Sequence, residues 1–340
     1  MNLINIQNDI ISASDIGLVR KVNEDSCGIA KTPNGTLCVV CDGMGGHAGG
    51  DEASRIAVSC IIQYFEKDIY SDIRQALKEA LDFANMQIIG TTLENPELKG
   101  MGTTACVLLL QDEQVWLAHI GDSRIYLYVA KEERLHRLTK DHSYVQGLID
   151  QGIIYEEEAE SHPDRNRILK ALGLREDLQA EIVEHPVLPA KDDVFLICSD
   201  GLSGMVSDKQ IQTILSQKTS LQEKETVLMS VAKDAGGLDN ITFQLIRIND
   251  SPHKRSVYAS KNNSFQKEEK KSRELKSTLF VIAVVAILLL GFFLNRKTGQ
   301  KQSDMPIIPI DSTTIINQQD SNLENDTIIP TPIILNTDSI

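Results

Sequence analysis

Along the first 250 residues the spacing of apolar positions changes several times, and each change marks an element. Residues 26–32 and 36–42 flank Pro33-Asn34-Gly35, which predicts a β-hairpin. Two amphipathic stretches follow at 51–67 and 71–94, with apolar residues at helical spacing. Short apolar runs at 103–110, 114–120, 124–129 and 134–139, separated by turn residues, predict a meander of antiparallel strands. Runs at 194–199 and 241–248 add two strands, with helices predicted between them at 207–217 and 221–235. Grouped strands and paired helices point to a layered α+β domain rather than a repeat of βαβ units.

The pattern breaks after Asn249. Residues 251–276 are polar and charged with no apolar periodicity, as expected of a linker. Residues 277–294, STLFVIAVVAILLLGFFL, carry no charge over 18 positions, enough for a helix that crosses a bilayer. Lys267, Lys270, Lys271, Arg273 and Lys276 precede this stretch and Arg296, Lys297 and Lys301 follow it. That bias puts the N-terminal side in the cytoplasm. The opening MNLINIQNDIIS has no basic segment leading into a sustained apolar one, so it does not read as a secretory signal. The expected organisation is a globular domain over 1–250, a cytoplasmic linker over 251–276, a single membrane span over 277–294 and a flexible extracytoplasmic tail over 295–340.

A net charge of −14 argues against a nucleic-acid partner, because phosphate backbones are bound by basic surfaces. An excess of carboxylates suits a protein that collects divalent cations. All six cysteines fall in the first 250 residues within apolar runs such as TLCVVCDG and VFLICSDG. Cys38 and Cys41 have the spacing of a redox or zinc pair. On a strand, however, residues three apart point to opposite faces, so both read as core.

The chemistry lies in acidic residues that follow apolar runs and precede glycine or a small polar residue: Asp42-Gly43, Gly121-Asp122-Ser123-Arg124, Asp200-Gly201 and Asp239-Asn240. Asp200 follows VFLICS and Asp42 follows TLCVVC, so each of these strands delivers a carboxylate into a loop, and four such deliveries predict one shared cation site. A carboxylate set without histidine or cysteine partners favours Mg²⁺ or Mn²⁺ over zinc.

Order and spacing sharpen this reading. The chain carries Arg20-Lys-Val-Asn23-Glu24-Asp25, Asp42-Gly-Met-Gly-Gly-His47, Gly102-Thr-Thr104, Gly121-Asp-Ser-Arg124, Leu138-Thr-Lys-Asp-His-Ser143, Asn166-Arg-Ile-Leu-Lys-Ala-Leu-Gly173, Ser199-Asp-Gly-Leu202 and Gly237-Leu-Asp239-Asn-Ile-Thr242. This succession, over about residues 10–248, resembles the PPM/PP2C family of metal-dependent protein phosphatases in its bacterial form. The resemblance implies a β-sandwich of two antiparallel sheets flanked by helical layers, to which the apolar stretch would add one transmembrane helix. It also implies hydrolysis of phosphoserine and phosphothreonine on proteins by a water held between two Mn²⁺ or Mg²⁺ ions, in opposition to a bacterial serine/threonine kinase.

Carried over by motif, Asp42 bridges the two ions and the Gly43 carbonyl ligates one of them. Asp200 and Asp239 complete the other, Glu24 stands beside the pair, and Asp25 supports the same cluster. Arg20 corresponds to the phosphate-binding arginine, and Asp122 is the candidate ligand of a third ion. Residues 141–189 correspond to the flap beside the site. One departure concerns the leaving group: animal members place a histidine directly after the bridging Asp-Gly, whereas Met44 stands here. His47, three residues on, is a candidate general acid, with metal-bound water as the alternative. No cysteine is followed six positions later by arginine, which excludes the thiolate phosphatase motif. A non-hydrolytic binding module would be expected to lose a metal aspartate, and Asp42, Asp200 and Asp239 are all retained.

Overall fold

The structure, a computed structural model, describes residues 8–45, 49–159 and 161–258. Strand β1 (Asn8–Asp15) opens the domain, and β2 (Asp25–Thr32) and β3 (Gly35–Met44) form the predicted hairpin. Helices α1 (Gly49–Lys67) and α2 (Ile73–Glu94) follow, then the short β4 (Gly102–Thr103) and strands β5 (Ala105–Gln111), β6 (Gln114–Ile120), β7 (Arg124–Val129) and β8 (Arg134–Arg137). An irregular stretch contains α3 (Tyr144–Asp150), α4 (Glu156–Ala159) and β9 (Glu181–Ile182). The chain closes with β10 (Val194–Cys198), α5 (Asp200–Ser203), α6 (Asp208–Ser216), α7 (Leu221–Asp234) and β11 (Ile241–Ile248). Helices α6 and α7 begin where Ser207 with Gln210, and Ser220 with Glu223, form reciprocal capping boxes that satisfy the first free amides.

Two antiparallel sheets result, one in the order β1-β11-β10-β7-β8 and the other β2-β3-β5-β6-β9, with β4 on β3. Strand periodicity explains how one sheet serves two cores. Leu37, Val39 and Cys41 of β3 face α1 and α2, while Cys38 and Val40 face the opposite sheet. Val194, Leu196 and Cys198 of β10 pack with α6 and α7, while Phe195 and Ile197 fill the space between sheets. The layers therefore run helix, sheet, sheet, helix, with both faces of each central strand buried, and the near-continuous apolar runs of the sequence follow from that. Cys38 and Cys41 do face opposite ways, and all six cysteines are free thiols.

The structure departs from the sequence pattern in three places. The meander does not stay in one sheet: β5 and β6 belong to one and β7 and β8 to the other, so the chain crosses between sheets at Gly121-Asp122-Ser123. Periodicity cannot reveal that crossing, because the runs on both sides are equally apolar. Strand β1, for which the apolar pattern gives no expectation because it lacks a continuous apolar run, is held by an eight-residue pairing with β11. Residues 251–258, expected to leave the body as linker, stay on it. Ser251 Oγ donates to Pro189 O, Val257 N donates to Leu188 O, Ser256 is buried, and Tyr258 packs against the inter-sheet core. A few well-placed side chains dock a segment that has no periodicity. The stretch 277–294 lies outside the described residues; among those, no helix is long and apolar enough to cross a membrane.

Candidate metal centre

The acidic residues converge at one end of the sandwich. Asp25 opens β2 and is paired with Asp42 across the hairpin. Asp42 and Gly43 remain within β3 instead of leaving it for a loop, because Gly43 still pairs with Thr103 of β4. Asp122 sits in the crossing between sheets, Asp200 is the first residue of α5, and Asp239 stands in the turn before β11. Close backbone packing makes the two adjacent glycines necessary. A Cβ on Gly43 would overlap the carbonyl oxygens of Gly50 and Glu24, and one on Gly201 would overlap that of Asn240.

The carboxylates crowd one another. Burial, followed by the charges of Asp25, Asp200, Asp122 and Asp239, pushes the Asp42 carboxyl well above the usual range. Burial likewise raises Asp25 to about 7 against hydrogen bonds from Ser199 and Thr242. Asp122 is raised well above the ordinary value by burial and then by Asp200 and Asp141. Asp200 is raised by burial and the charge of Asp239, while a hydrogen bond with Asp42 opposes the rise. Glu24 is raised mainly by burial, opposed by Arg20. One Asp122 oxygen, Oδ1, is buried without a hydrogen-bond partner.

An oxygen-only donor set that repels itself, with a buried carboxylate oxygen left over, fits hard divalent cations. The predicted set of Asp42, Gly43, Asp200 and Asp239, with Glu24 and Asp25 alongside and Asp122 as a further position, is therefore chemically consistent. Asp122, Asp200, Gly201 and Asp239 line an open groove of about 1140 Å³ together with Arg20. The Arg20 guanidinium donates through Nη2 to Asp239 Oδ2 at 2.7 Å and lies 3.9 Å from Glu24, with the side chain half-exposed. Asp25 Oδ2 accepts from Ser199 Oγ at 2.8 Å, and the Asp25 charge is the first of those that raise Asp42. His47 lies outside the described residues.

Several functional residues carry no role in the sequence reading although they sit inside the quoted motifs. Thr104 Oγ1 accepts from Asp42 N at 2.9 Å, Thr104 N donates to Asp42 O, and Thr103 Oγ1 donates to the same carbonyl at 2.8 Å. Asp42 is thereby fixed from both backbone sides. Buried Asn240 accepts from Glu24 N through Oδ1 and donates through Nδ2 to Ile16 O and Val22 O, tying the loop that carries Arg20 to the turn that carries Asp239. Arg124 forks onto both oxygens of Asp141 and reaches the Tyr126 hydroxyl, which donates to Asp208 along the groove. A small polar residue beside an aspartate is also what an ordinary turn requires, so the sequence alone could not separate these braces from turn formers.

Among the described residues, His119, His142 and Glu181 form a further cluster with ligand atoms within 4.8 Å of one another. Their hydrogen bonds argue for a brace. Gly121 N donates to His142 Nδ1 at 3.1 Å, which fixes the proton on Nε2, and that N–H points to Glu181 Oε1 at 3.1 Å. The lone pair a metal would need is absent from that nitrogen, and the His119 and His142 rings stack within 15° of parallel, so their in-plane lone pairs do not converge. Burial lowers the pKa of both imidazoles and keeps them neutral. His142 instead holds Gly121, and with it the Asp122 turn, against β9.

Comparison with known proteins agrees with this geometry. The family description Protein phosphatase 2C matches residues 19–234. The chain is 36% identical over 241 residues to the serine/threonine phosphatase stp of Listeria welshimeri, covering 69% of this chain and 94% of that protein. It is 36% identical over 248 residues to the protein phosphatase PhpP of Streptococcus pneumoniae, covering 71% of this chain and 98% of that one. Among solved structures, the Mycobacterium tuberculosis serine/threonine phosphatase PstP/Ppp superposes with a TM-score of 0.65 at 35% identity, covering 71% of this chain and 99% of that one. The catalytic domain of PstP in complex with two manganese ions superposes with a TM-score of 0.62 at 34% identity, covering 72% and 99%. With the two-sheet sandwich, the converging aspartates and these matches in agreement, the chain belongs to the protein phosphatase 2C family.

Proposed function

We propose that the protein hydrolyses phosphoserine and phosphothreonine on proteins, with Asp42, the Gly43 carbonyl, Asp200 and Asp239 holding two Mn²⁺ or Mg²⁺ ions. Glu24 stands beside that pair, and Asp122 offers a position for a third ion. The observation that carries this reading is the convergence of mutually repelling buried carboxylates beside Arg20 at an open groove. With ions bound, such a site supplies a water of lowered pKa as nucleophile and neutralises charge on the phosphoryl group. The chain's own residues do the rest. Arg20 offers a planar fork of donors to two phosphoryl oxygens while Asp239 and Glu24 orient it. Thr103, Thr104 and Ser199 keep the acids in place, so little reorganisation is left for the moment of reaction. A cysteine nucleophile is disfavoured: burial pushes the Cys38 and Cys198 thiols up to about 12.

The substrates we infer are phosphorylated proteins, including a bacterial serine/threonine kinase and its targets, in keeping with the serine/threonine phosphatases that the relatives are named for. We further infer a single-pass cell-membrane protein, its catalytic domain cytoplasmic, on the strength of the uncharged stretch 277–294 and its basic flanks. Phosphate release from a phosphothreonine peptide by the Mn²⁺-loaded full chain, and its loss in Asp200→Asn, test the activity; equal turnover by the two would overturn it. Protease digestion of sealed vesicles tests sidedness, and a catalytic domain exposed on the extracytoplasmic face would overturn the topology.

A further inference from the structure

Four large aliphatic side chains stand exposed around Arg20: Leu18 at 64%, Val19 at 61%, Val22 at 53% and Leu238 at 49%. Single exposed apolar residues are ordinary, but several on one loop and on the turn bonded to it, beside a reactive centre, mark a contact surface. The group is also held in place. Leu18 N donates to Gly237 O at 2.8 Å, and Asn240 Nδ2 donates to Ile16 O at 2.9 Å and Val22 O at 3.0 Å. Loop 16–22 and turn 237–240 are thus joined, which sets Leu18 beside the Leu238 turn. Leu238 lines the same groove as Arg20, Asp200 and Asp239, so the apolar rim is continuous with the site where phosphate would bind.

We propose that this rim docks an aliphatic side chain flanking the phosphorylated residue of the protein substrate. The inference rests on the phosphatase reading and adds a preference to it. Leu18 and Val22 are each two residues from Arg20, so their Cα atoms lie within about 7.6 Å of its own. An extended peptide advances about 3.3 Å per residue, so with the phosphate on Arg20 the side chains one to three positions away reach the rim. Continuity with the groove through Leu238 favours a substrate segment over a second copy of the chain, which would cover the rim and obstruct the groove together.

The test uses the Mn²⁺-loaded full-length chain and two phosphothreonine peptides, one with leucine and one with serine on both sides of the phosphoresidue. The leucine peptide is expected to have a kcat/KM about tenfold higher, the factor supplied by partial burial of one or two aliphatic side chains. The double substitution Leu18→Ser with Val22→Ser should abolish that ratio while turnover of p-nitrophenyl phosphate, too small to reach the rim, stays unchanged. Leu18→Met should retain the preference. Equal kcat/KM for the two peptides, or a preference that survives the double substitution, would overturn the proposal while leaving the phosphatase reading standing. So would a double substitution that only converts a dimer to a monomer in sedimentation, which would make a second copy the occupant. No turnover of any of the three substrates would overturn the phosphatase reading itself, and this inference with it.

Discussion

Arg20 Nη2 donates to Asp239 Oδ2 across 2.7 Å, although the two residues are 219 positions apart in the chain. The contact closes the site between the loop after β1 and the turn before β11, two strands paired along their full length. It sets the Arg20 guanidinium where a phosphoryl group would approach. Arg20→Ala should raise KM for a phosphothreonine peptide and lower kcat/KM about 10- to 100-fold, the scale of one or two charge-assisted hydrogen bonds. Steady-state kinetics check this, and unchanged constants would remove Arg20 from the site.

Asn240 has the larger structural role. Its buried amide satisfies Glu24 N, Ile16 O and Val22 O at once. Asn240→Ala should cost about 2–4 kcal/mol by leaving three polar groups without partners. Hydrogen exchange should speed up first at residues 17–24. Denaturant unfolding and exchange together check this; a loss of stability without local exchange would assign the effect elsewhere.

Asp200→Asn removes a charge from a cluster in which burial and then Asp239 raise its pKa and Asp42 is close enough to share a hydrogen bond. The metal-free variant should melt at a higher temperature than the metal-free wild type, because self-repulsion falls. Its phosphatase activity should drop by about 100-fold or more through loss of an ion ligand. A variant both less stable without metal and fully active would contradict the assignment.

The pH dependence has a defined sign. The Asp25 carboxyl titrates near 7 in the folded, metal-free chain against 3.8 as its ordinary value. Between those values the native state binds the extra proton, so this group's contribution to metal-free stability is lost as pH rises through that window. The buried neutral histidines His119, His136 and His142 have lowered pKa values and act in the opposite direction. The clean measurement is therefore the difference in urea midpoint between wild type and Asp25→Asn. The variant should gain on the wild type from pH 5 to pH 8, and a difference independent of pH would show that Asp25 does not titrate there.

The same contrast between local and distant information decides how much could be read from the chain. Asp42, Asp122, Asp200 and Asp239 were legible because glycine or a small polar residue follows each at the end of a predicted run, and because the order of the motifs matches a family. The hairpin strands β2 and β3, the later strand runs and four of the helices were legible from periodicity. The crossing at Gly121-Asp122-Ser123 was not, since a change of sheet leaves apolar runs unaltered. Nor was the docking of 251–258, which depends on Ser251, Ser256 and Tyr258 meeting surfaces formed far away in sequence. Asn240 and Thr104 lay in plain view, but their roles exist only once strands from distant parts of the chain come together.

The most direct test is add-back of Mn²⁺ to the metal-stripped full-length chain, following phosphate release from a phosphothreonine peptide as ions are bound. No turnover is expected without metal, and activity should rise to saturation as the acid cluster fills. Full activity without any divalent ion, or tight Mn²⁺ binding by folded protein with no phosphate released, would contradict it.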